Sequence, residues 1–348
     1  MRVPGLGRIK RLAQRAYTTI APRAIILLYH RVAELPTDPQ WLAVSPRNFE
    51  SHLRTLRHRA HPLSLRQLAR RLRAGAAPRR AVVVTFDDGY ADNLHIAKPL
   101  LARHNIPATV FVTSGQTDSA REFWWDELER LLLCAGMLPP DLAVVASGRM
   151  RQWSLGDAAH YSPEAAAQYR GWTVLSPTNP TPRHTLYRQL CDVVRSLAAP
   201  DREAVLASVR AWAGAGAEGR ATHRALTAVD LRQLAADGLV EIGGHTVTHP
   251  VLASLSLEAQ CAEMAQSKTA LEAALGAPVT SFAYPYGTRS DYTLDTVALA
   301  RQAGFEQACS NFPGAARRGT DLFQLPRMLM RDWPADEFAR RLDGWLRD

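Results

Sequence analysis

The stretch Val82-Val83-Val84-Thr85-Phe86-Asp87-Asp88-Gly89-Tyr90 is an apolar run that ends in two adjacent carboxylates and a glycine. Residues 82–86 predict a buried strand, and Gly89 marks where the chain turns away from the sheet. At such a turn both carboxylates can face one cavity, where one binds a cation and the other takes a proton. Asp-Asp-Gly is also common turn chemistry, so the pair alone does not separate a site from a plain turn.

A second set of polar residues follows another short strand far along the chain. Residues 239–244 end in two glycines and lead directly to His245-Thr246-Val247-Thr248-His249. We expect a single helical turn here, which would bring the i and i+4 histidines to one side. Imidazole and carboxylate together are an ordinary ligand set for zinc or a similar divalent ion. Because both histidines follow a strand, as the aspartates do, they are candidate ligands of the same ion; the alternative is that all four residues are structural.

Three motifs resemble those of a known family. Thr85-Phe86-Asp87-Asp88-Gly89-Tyr90, His245-Thr246-Val247-Thr248-His249 and Phe282-Ala283-Tyr284-Pro285-Tyr286-Gly287 resemble, in order, the first three motifs of the polysaccharide deacetylases, carbohydrate esterase family 4 or the NodB homology domain. The resemblance spans roughly residues 24–114 and 225–333. It implies a hydrolase acting on carbon-nitrogen bonds of linear amides other than peptide bonds.

The resemblance also implies a metal site and a base. Asp88, His245 and His249 would hold a divalent ion, with zinc the first expectation, and Asp87 beside them would be the catalytic base. The chemistry agrees with this assignment, because a bound divalent ion supplies both an activated water and a polarised carbonyl for amide hydrolysis. The implied substrate is an N-acetylated carbohydrate.

Three further catalytic roles come from the same resemblance. The backbone N–H of Tyr286 would donate to the oxyanion, and His30, in a Tyr-His pair near the beginning of the domain, would protonate the leaving amine. The family's arginine that steers the base is replaced by Ala283, and we expect Arg327, from the last strand, to take its place. The alternative for His30 is a histidine whose hydrogen bonds are satisfied inside the core. The alternative for Arg327 is an arginine on the surface. The family's fourth motif, an Asp-Trp pair, is only echoed by Asp332-Trp333.

Alternating strands and helices predict an α/β fold, a distorted TIM-like (β/α)7 barrel over residues 24–348 with its chemistry at the carboxyl ends of the strands. Predicted strands include Ala24–Val32, Ala108–Thr113, Ser281–Tyr286, Glu306–Ser310 and Phe323–Met330. A largely helical insertion at about 115–225 interrupts the alternation and contains most of the tryptophans. These could stack on sugar rings or attach the insertion to the barrel.

Composition limits the location and the partners. The net charge is +9, from 42 basic and 33 acidic residues, but no basic block is interleaved with aromatic residues, which argues against nucleic acid.

Residues 1–23 predict a basic amphipathic helix, without an apolar run of signal-peptide or membrane-spanning length. We expect a cytoplasmic protein with peripheral contact to the inner membrane face; the alternative is a helix that packs on the barrel. The four scattered cysteines predict buried thiols. No pattern indicates an oligomeric state.

The sequence therefore predicts metal-dependent removal of N-acetyl groups from a glycan or a lipid-linked glycan precursor, as in cell-surface polysaccharide biosynthesis. One alternative is an O-acetyl carbohydrate esterase, which would use the same ion and base. Another is a non-catalytic sugar-binding barrel, which would be marked by a lost ligand or base, whereas Asp87, Asp88, His245 and His249 are all present.

Overall fold

The computed structural model describes residues 23–76 and 78–347. The predicted amphipathic helix at 1–23 therefore lies outside the described residues, apart from Arg23, which begins the first strand. Within the described ranges, no helix combines the length and the apolar character needed to cross a membrane.

The strands, in chain order, are β1 Arg23–Tyr29, β2 Arg31–Val32, β3 Ala43–Val44, β4 His61–Pro62, β5 Ala81–Phe86, β6 Ala108–Val112, β7 Gly136–Met137, β8 Asp141–Ala146, β9 Arg149–Ser154, β10 His160–Tyr161, β11 Val240–Gly244, β12 Ser281–Ala283, β13 Gln307–Cys309, β14 Ala316–Arg317 and β15 Met328–Leu329. The helices are α1 Pro46–Arg59, α2 Leu65–Arg73, α3 Lys98–Arg103, α4 Trp124–Leu132, α5 Pro163–Tyr169, α6 Pro182–Arg195, α7 Ala199–Trp212, α8 Ala228–Ala235, α9 Leu257–Leu275, α10 Leu294–Gln302 and α11 Ala335–Arg347. A π-helical turn, Asn93–Ala97, precedes α3.

A curled parallel sheet forms the core, in the order β13-β12-β11-β6-β5-β1. The segment that ends in β15 connects its two edges, because Leu325 makes a parallel bridge to Cys309 of β13 while β15 pairs in parallel with β1. Seven parallel segments thus surround one core, which confirms the predicted distorted (β/α)7 barrel. All side chains of β1 and β5 are buried, as expected for parallel strands covered on both faces.

Helix boundaries follow local chemistry. Thr227 caps α8 in a capping box with Asp230, as its position before the apolar run predicts. Helix α9 begins after Ser256 and ends at Gly276, which adopts φ 67° in the left-handed region. These caps fix where the chain leaves each helix and returns to the barrel.

The insertion contains four helices, α4 to α7, and also a hairpin that the sequence analysis does not anticipate. Strands β8 and β9 pair antiparallel, and Ser147 and Gly148 at their turn have φ of 50° and 71°. In β8 alternate residues are buried, which is the pattern of a strand with one face on a core. The insertion has its own apolar cluster, including Trp125, Leu128, Tyr187 and Leu190.

Two sequence expectations are wrong in detail. The last predicted strand, Phe323–Met330, is reduced to β15 and the bridge at Leu325. All four cysteines are free, but Cys134 and Cys261 are exposed, since they lie on outward positions of the insertion and of α9.

Candidate active site

The candidate site lies at the carboxyl ends of the central strands. Asp87 and Asp88 directly follow β5, and His245 follows β11, whose last residue pairs with Val112 of β6 and Phe282 of β12. Neighbouring parallel strands end at the same edge of a sheet, so residues more than 150 positions apart in sequence meet there. Tyr286, which follows β12, completes this edge.

Asp87 is held by Arg327. The Nη1 and Nη2 atoms of the guanidinium donate to Oδ1 and Oδ2 of Asp87, each at 2.7 Å, while its Nε donates to the Ser310 carbonyl at 2.8 Å. Both side chains are buried. Burial raises the pKa of Asp87, but the charge and hydrogen bonds of Arg327 outweigh it and hold that pKa below its usual range. The carboxylate is therefore ionised and fixed in orientation, and this is the contact expected of Arg327.

Asp88, His245 and His249 form a buried cluster. One ligand atom from each lies within 4.8 Å of the other two. The Nε2 atoms of His245 and His249 are 3.6 and 3.3 Å from Oδ1 of Asp88. Burial lowers the pKa of both histidines, that of His249 to about 3, and burial raises the pKa of Asp88.

The cluster fits a divalent cation. Nδ1 of His245 lies 2.8 Å from the Ala283 carbonyl, so this nitrogen carries the hydrogen and Nε2 presents its lone pair towards Asp88. Oδ1 of Asp88 is buried and has no hydrogen-bond partner among the described residues. Electron pairs facing a buried carboxylate oxygen repel one another unless a cation binds between them, and two imidazoles with a carboxylate suit zinc.

Three residues of this site, Asp88, His249 and Tyr286, have strained backbone with positive φ, and two of them are centres of tight turns. Asp88 has φ 73° and is the centre of a three-residue turn in which Gly89 N–H donates to the Asp87 carbonyl at 2.9 Å. Tyr286 has φ 58° and is the centre of a similar turn closed by Gly287 N–H and the Pro285 carbonyl. Such turns are rare for residues with a side chain and cluster at functional sites. Such a turn directs adjacent groups towards one cavity. This allows Asp87 and Asp88, which are consecutive in the sequence, to reach the same site.

Tyr286 and His30 both line the cavity. The Tyr286 ring packs edge-on against His249, with 4.7 Å between ring centres. His30 lies in the break between β1 and β2, half-buried, with its carbonyl accepting from Asn93. Burial lowers the pKa of His30, and the carboxylates of Asp88 and Asp87 oppose that shift. His30 is therefore a cavity residue rather than a histidine satisfied inside the core.

The two histidines do not share a helical turn, contrary to the sequence expectation. Residues 245–250 form an irregular loop in which Thr246 and His249 have φ of 65° and 56°. Glu263 of α9 accepts from the N–H groups of Val247 and Thr248 at 2.7 and 2.9 Å. These bonds replace the ones that a helix would have supplied.

The insertion fixes the same loop from the other side. Arg202 of α7 is buried and donates to the carbonyls of Thr248 and His249. Neither Arg202 nor Glu263 is among the candidate site residues predicted from the sequence. Neither residue belongs to a motif, and only their contacts with the histidine loop reveal them.

A cavity of about 460 Å³ opens in front of these residues. Trp124 and Trp125 line it and are largely buried, and Trp125 packs edge-on against His249 at 5.1 Å. Trp125 also donates to the Tyr90 hydroxyl at 2.7 Å, so it joins the insertion to the barrel beside the site. Asp332 is elsewhere: it accepts from Ser45 and Asn48 at the beginning of α1.

A parallel barrel with an Asp-His-His cluster and an arginine-held aspartate at its carboxyl edge defines a barrel hydrolase. Comparison with known families agrees, because the family model described as polysaccharide deacetylase matches residues 74–133 and 186–308. The chain belongs to the polysaccharide deacetylase family, whose members are hydrolases acting on amide bonds. The family implies an N-acetylated carbohydrate substrate and metal dependence.

One curated relative is YxkH of Bacillus subtilis (strain 168), a protein assigned to the polysaccharide deacetylases. It is 30% identical over 103 residues, which cover 30% of this chain and 36% of YxkH. The match therefore spans about a third of the length of that relative.

Solved structures share the fold over nearly the whole chain. The Streptococcus pyogenes deacetylase PplD, in complex with acetate, has a TM-score of 0.57 at 18% identity and covers 92% of this chain and 99% of its own. IcaB from Ammonifex degensii has a TM-score of 0.56 at 18% identity, with 94% and 98% covered. The BpsB deacetylase domain from Bordetella bronchiseptica has a TM-score of 0.52 at 20% identity, with 88% and 96% covered. At these identities the likeness concerns the fold.

Proposed function

We propose that this protein hydrolyses the N-acetyl group of a glycan or a lipid-linked glycan precursor. The observation that carries the proposal is the pairing of Asp87 with Arg327 directly beside the cluster of Asp88, His245 and His249. A fixed, ionised carboxylate next to a cation-binding cluster is the arrangement that amide hydrolysis with an activated water needs.

Asp88, His245 and His249 are the residues that would hold the ion, for which zinc is the first choice on the chemistry of the donor set. When bound there, such an ion polarises the scissile carbonyl and makes water more acidic. The hydrogen bond from His245 to the Ala283 carbonyl keeps the ring oriented for this role.

Asp87 acts as the general base. Its Oδ2 atom lies 3.9 Å from Nε2 of His245 and also accepts from Nη2 of Arg327, so the carboxylate lies between the cluster and the guanidinium. The guanidinium restricts the carboxylate to one orientation, which keeps a free lone pair directed at the water. The low pKa of Asp87 keeps the base ionised at neutral pH.

Tyr286 and His30 complete the chemistry. Tyr286 lines the cavity from its strained turn, and its backbone N–H would donate to the oxyanion. His30 would protonate the departing amine. Burial lowers its pKa, and the carboxylates of Asp88 and Asp87 offset only part of that shift.

The protein acts in the cytoplasm, with residues 1–23 on the inner membrane face beside lipid-linked sugars. This part of the proposal rests on the basic amphipathic sequence. Removal of residues 1–20 should move the protein from the membrane fraction to the soluble fraction. Unchanged fractionation would contradict the membrane contact and leave the hydrolase intact.

The activity is tested by acetate release from a panel of N-acetylated sugars, free and lipid-linked, with O-acetylated sugars assayed in parallel. We expect amide hydrolysis that is lost in Asp87→Asn, while Glu258→Gln, on the exposed start of α9, stays active. Hydrolysis of esters without amides would establish the O-acetyl esterase instead. Binding of sugars without acetate release from either class would establish a non-catalytic barrel.

A further inference from the structure

The outer part of the cavity is lined by three arginines that the proposed chemistry does not use. Arg188 and Arg195 lie on α6, seven residues apart and therefore on one face of the helix, with Asp192 between them on the same face. Arg331 follows β15 and lines the cavity as well. Two of the three belong to the insertion, so this lining is separate from the three motifs.

Two of these guanidiniums lack a carboxylate partner. Within residues 23–76 and 78–347, neither Arg188 nor Arg331 has an acidic oxygen within ion-pair distance. The Arg331 guanidinium donates to the Trp41 carbonyl and lies 4.5 Å above the Trp41 ring. Arg188 donates through Nη2 to the Ser176 carbonyl at 2.8 Å, but its Nε is buried and unpaired among the described residues. Several donors of both groups remain available to a ligand.

The third arginine of the lining, Arg195, lies next to the catalytic residues. It pairs with Asp291 at 2.6 Å and lies 4.3 Å from the centre of the Tyr286 ring, which itself contacts His249. The charge of Arg195 is paired with Asp291, whereas Arg188 and Arg331 add unpaired positive charge to the lining among the described residues; the acidic residues on the lining are Asp87, Asp88 and Asp192. Buried or half-buried guanidiniums with open donors are costly unless an oxyanion binds them.

We propose that the cavity binds an N-acetylated sugar carrying a phosphate or diphosphate group, whose oxygens are contacted by Arg188, Arg195 and Arg331. This inference rests on the proposed deacetylase function and names the class of its substrate. Three guanidiniums suit a phosphoryl group, with several charged oxygens, better than a single carboxylate. A cavity of about 460 Å³ accommodates a sugar ring with its phosphate.

The test compares matched N-acetylhexosamines with and without a 1-phosphate, and with a carboxylate in place of the phosphate. Acetate release by the full, metal-loaded chain gives kcat/KM for each. We expect the phosphate to raise kcat/KM by at least tenfold. Arg188→Gln and Arg331→Gln should each lower kcat/KM for the phosphorylated sugar by about tenfold. The neutral sugar should be unaffected by either change. Arg149 is an exposed arginine on β9, and Arg149→Gln is the matched control because it removes the same charge away from the cavity lining.

The source of the phosphate is separated by assaying the same sugar as a nucleotide diphosphate and as a polyprenyl diphosphate. The form with the larger arginine-dependent gain identifies the natural carrier. Equal kcat/KM for neutral and phosphorylated sugars, or a larger gain from the carboxylate, would overturn the phosphate site while leaving the deacetylase in place.

A binding measurement keeps this inference distinct from the proposed function. The variant Asp88→Asn lacks one cluster ligand. Calorimetric titration of this variant with N-acetylglucosamine 1-phosphate measures the affinity that the arginines supply in the absence of the ion. We expect binding that weakens about tenfold in Asp88→Asn combined with Arg331→Gln. Arginine-dependent binding in this variant, together with a metal-loaded wild-type chain that turns over no acetylated sugar, would contradict the deacetylase and support the phosphate site. Affinity that is unchanged by the arginine substitutions would overturn the phosphate site.

Discussion

Arg327 and Asp87 are joined by two parallel N–H···O bonds of 2.7 Å, although 240 positions separate them in the sequence. The family's third motif normally supplies an arginine at the position of Ala283 in this chain. Arg327 lies between the Leu325 bridge and β15, and the guanidinium reaches Asp87 because this closing segment runs beside β1 and β13. An arginine from the closing segment thus makes the ion pair.

We expect Arg327→Ala to lower kcat by roughly 100-fold, because it leaves the Asp87 carboxylate buried, unpaired and free to rotate. The metal content should stay close to that of the wild type. Steady-state acetate release and elemental analysis measure the two effects. Arg327→Lys retains the charge without the paired geometry and should keep an intermediate rate. Full activity in Arg327→Ala would show that the pair has no part in catalysis.

Glu263→Ala should weaken metal affinity by about 10-fold to 100-fold, because the N–H groups of Val247 and Thr248 lose their acceptor and the histidine loop loosens. Competition with a fluorescent zinc chelator measures the affinity. Glu258→Ala, an exposed change at the beginning of α9, is the matched control. If both variants bind zinc as tightly as the wild type, Glu263 does not hold the loop.

Gly243→Ala should destabilise the protein by about 2 kcal/mol. A Cβ atom at Gly243 would lie 2.4 Å from the buried Phe111 ring and 3.0 Å from the Ser281 carbonyl, so the strands on either side of β11 would have to shift. Gly171→Ala, where an added Cβ meets nothing within 4 Å, is the control. Urea unfolding of the two variants measures the difference, and equal stability would contradict the close packing at β11.

His52 makes the stability depend on pH. Burial lowers its pKa from 6.5 to about 4, while its ring stacks on Phe338 and its Nε2 lies 2.8 Å from the Trp333 carbonyl. The folded state therefore resists protonation, and the unfolded chain takes up the proton first. This contribution, at most about 3 kcal/mol, is fully present above pH 6.5 and is lost as the pH falls towards 4.

Urea unfolding at several pH values measures this effect. In His52→Gln the decline in stability between pH 6.5 and 4 should be shallower than in the wild type by about that amount. His58→Gln, an exposed change on the same helix, should keep the slope of the wild type. Identical slopes in wild type and His52→Gln would remove His52 as the source.

The central elements could be predicted from the sequence because their signals are local. The apolar run before Asp87 specifies a buried parallel strand, and Gly276 marks the end of α9 as a terminal glycine indicates. The candidate site followed from residues placed directly after such strands. Their convergence needed only the rule that parallel strands end at one edge.

Other features depend on contacts that no local pattern encodes. The loop from His245 to His249 has positive φ at two residues and is held by Glu263 and Arg202, so the i and i+4 spacing wrongly favoured a helical turn. Strand β15 is short because only Met328 and Leu329 pair with β1, while the contact with β13 is a separate bridge at Leu325. The hairpin β8–β9 belongs to the insertion and has no counterpart in the motifs.

The most direct measurement is the metal content of the purified full chain after incubation with zinc, combined with acetate release before and after chelation. We expect about one zinc ion per chain, loss of activity with a chelator and its return with zinc. Asp88→Ala and His249→Ala should bind almost none, whereas Asp87→Asn should keep the ion and lose the activity. A wild-type protein that binds no divalent ion, or an Asp88→Ala variant that retains it, would contradict the shared site of Asp88, His245 and His249.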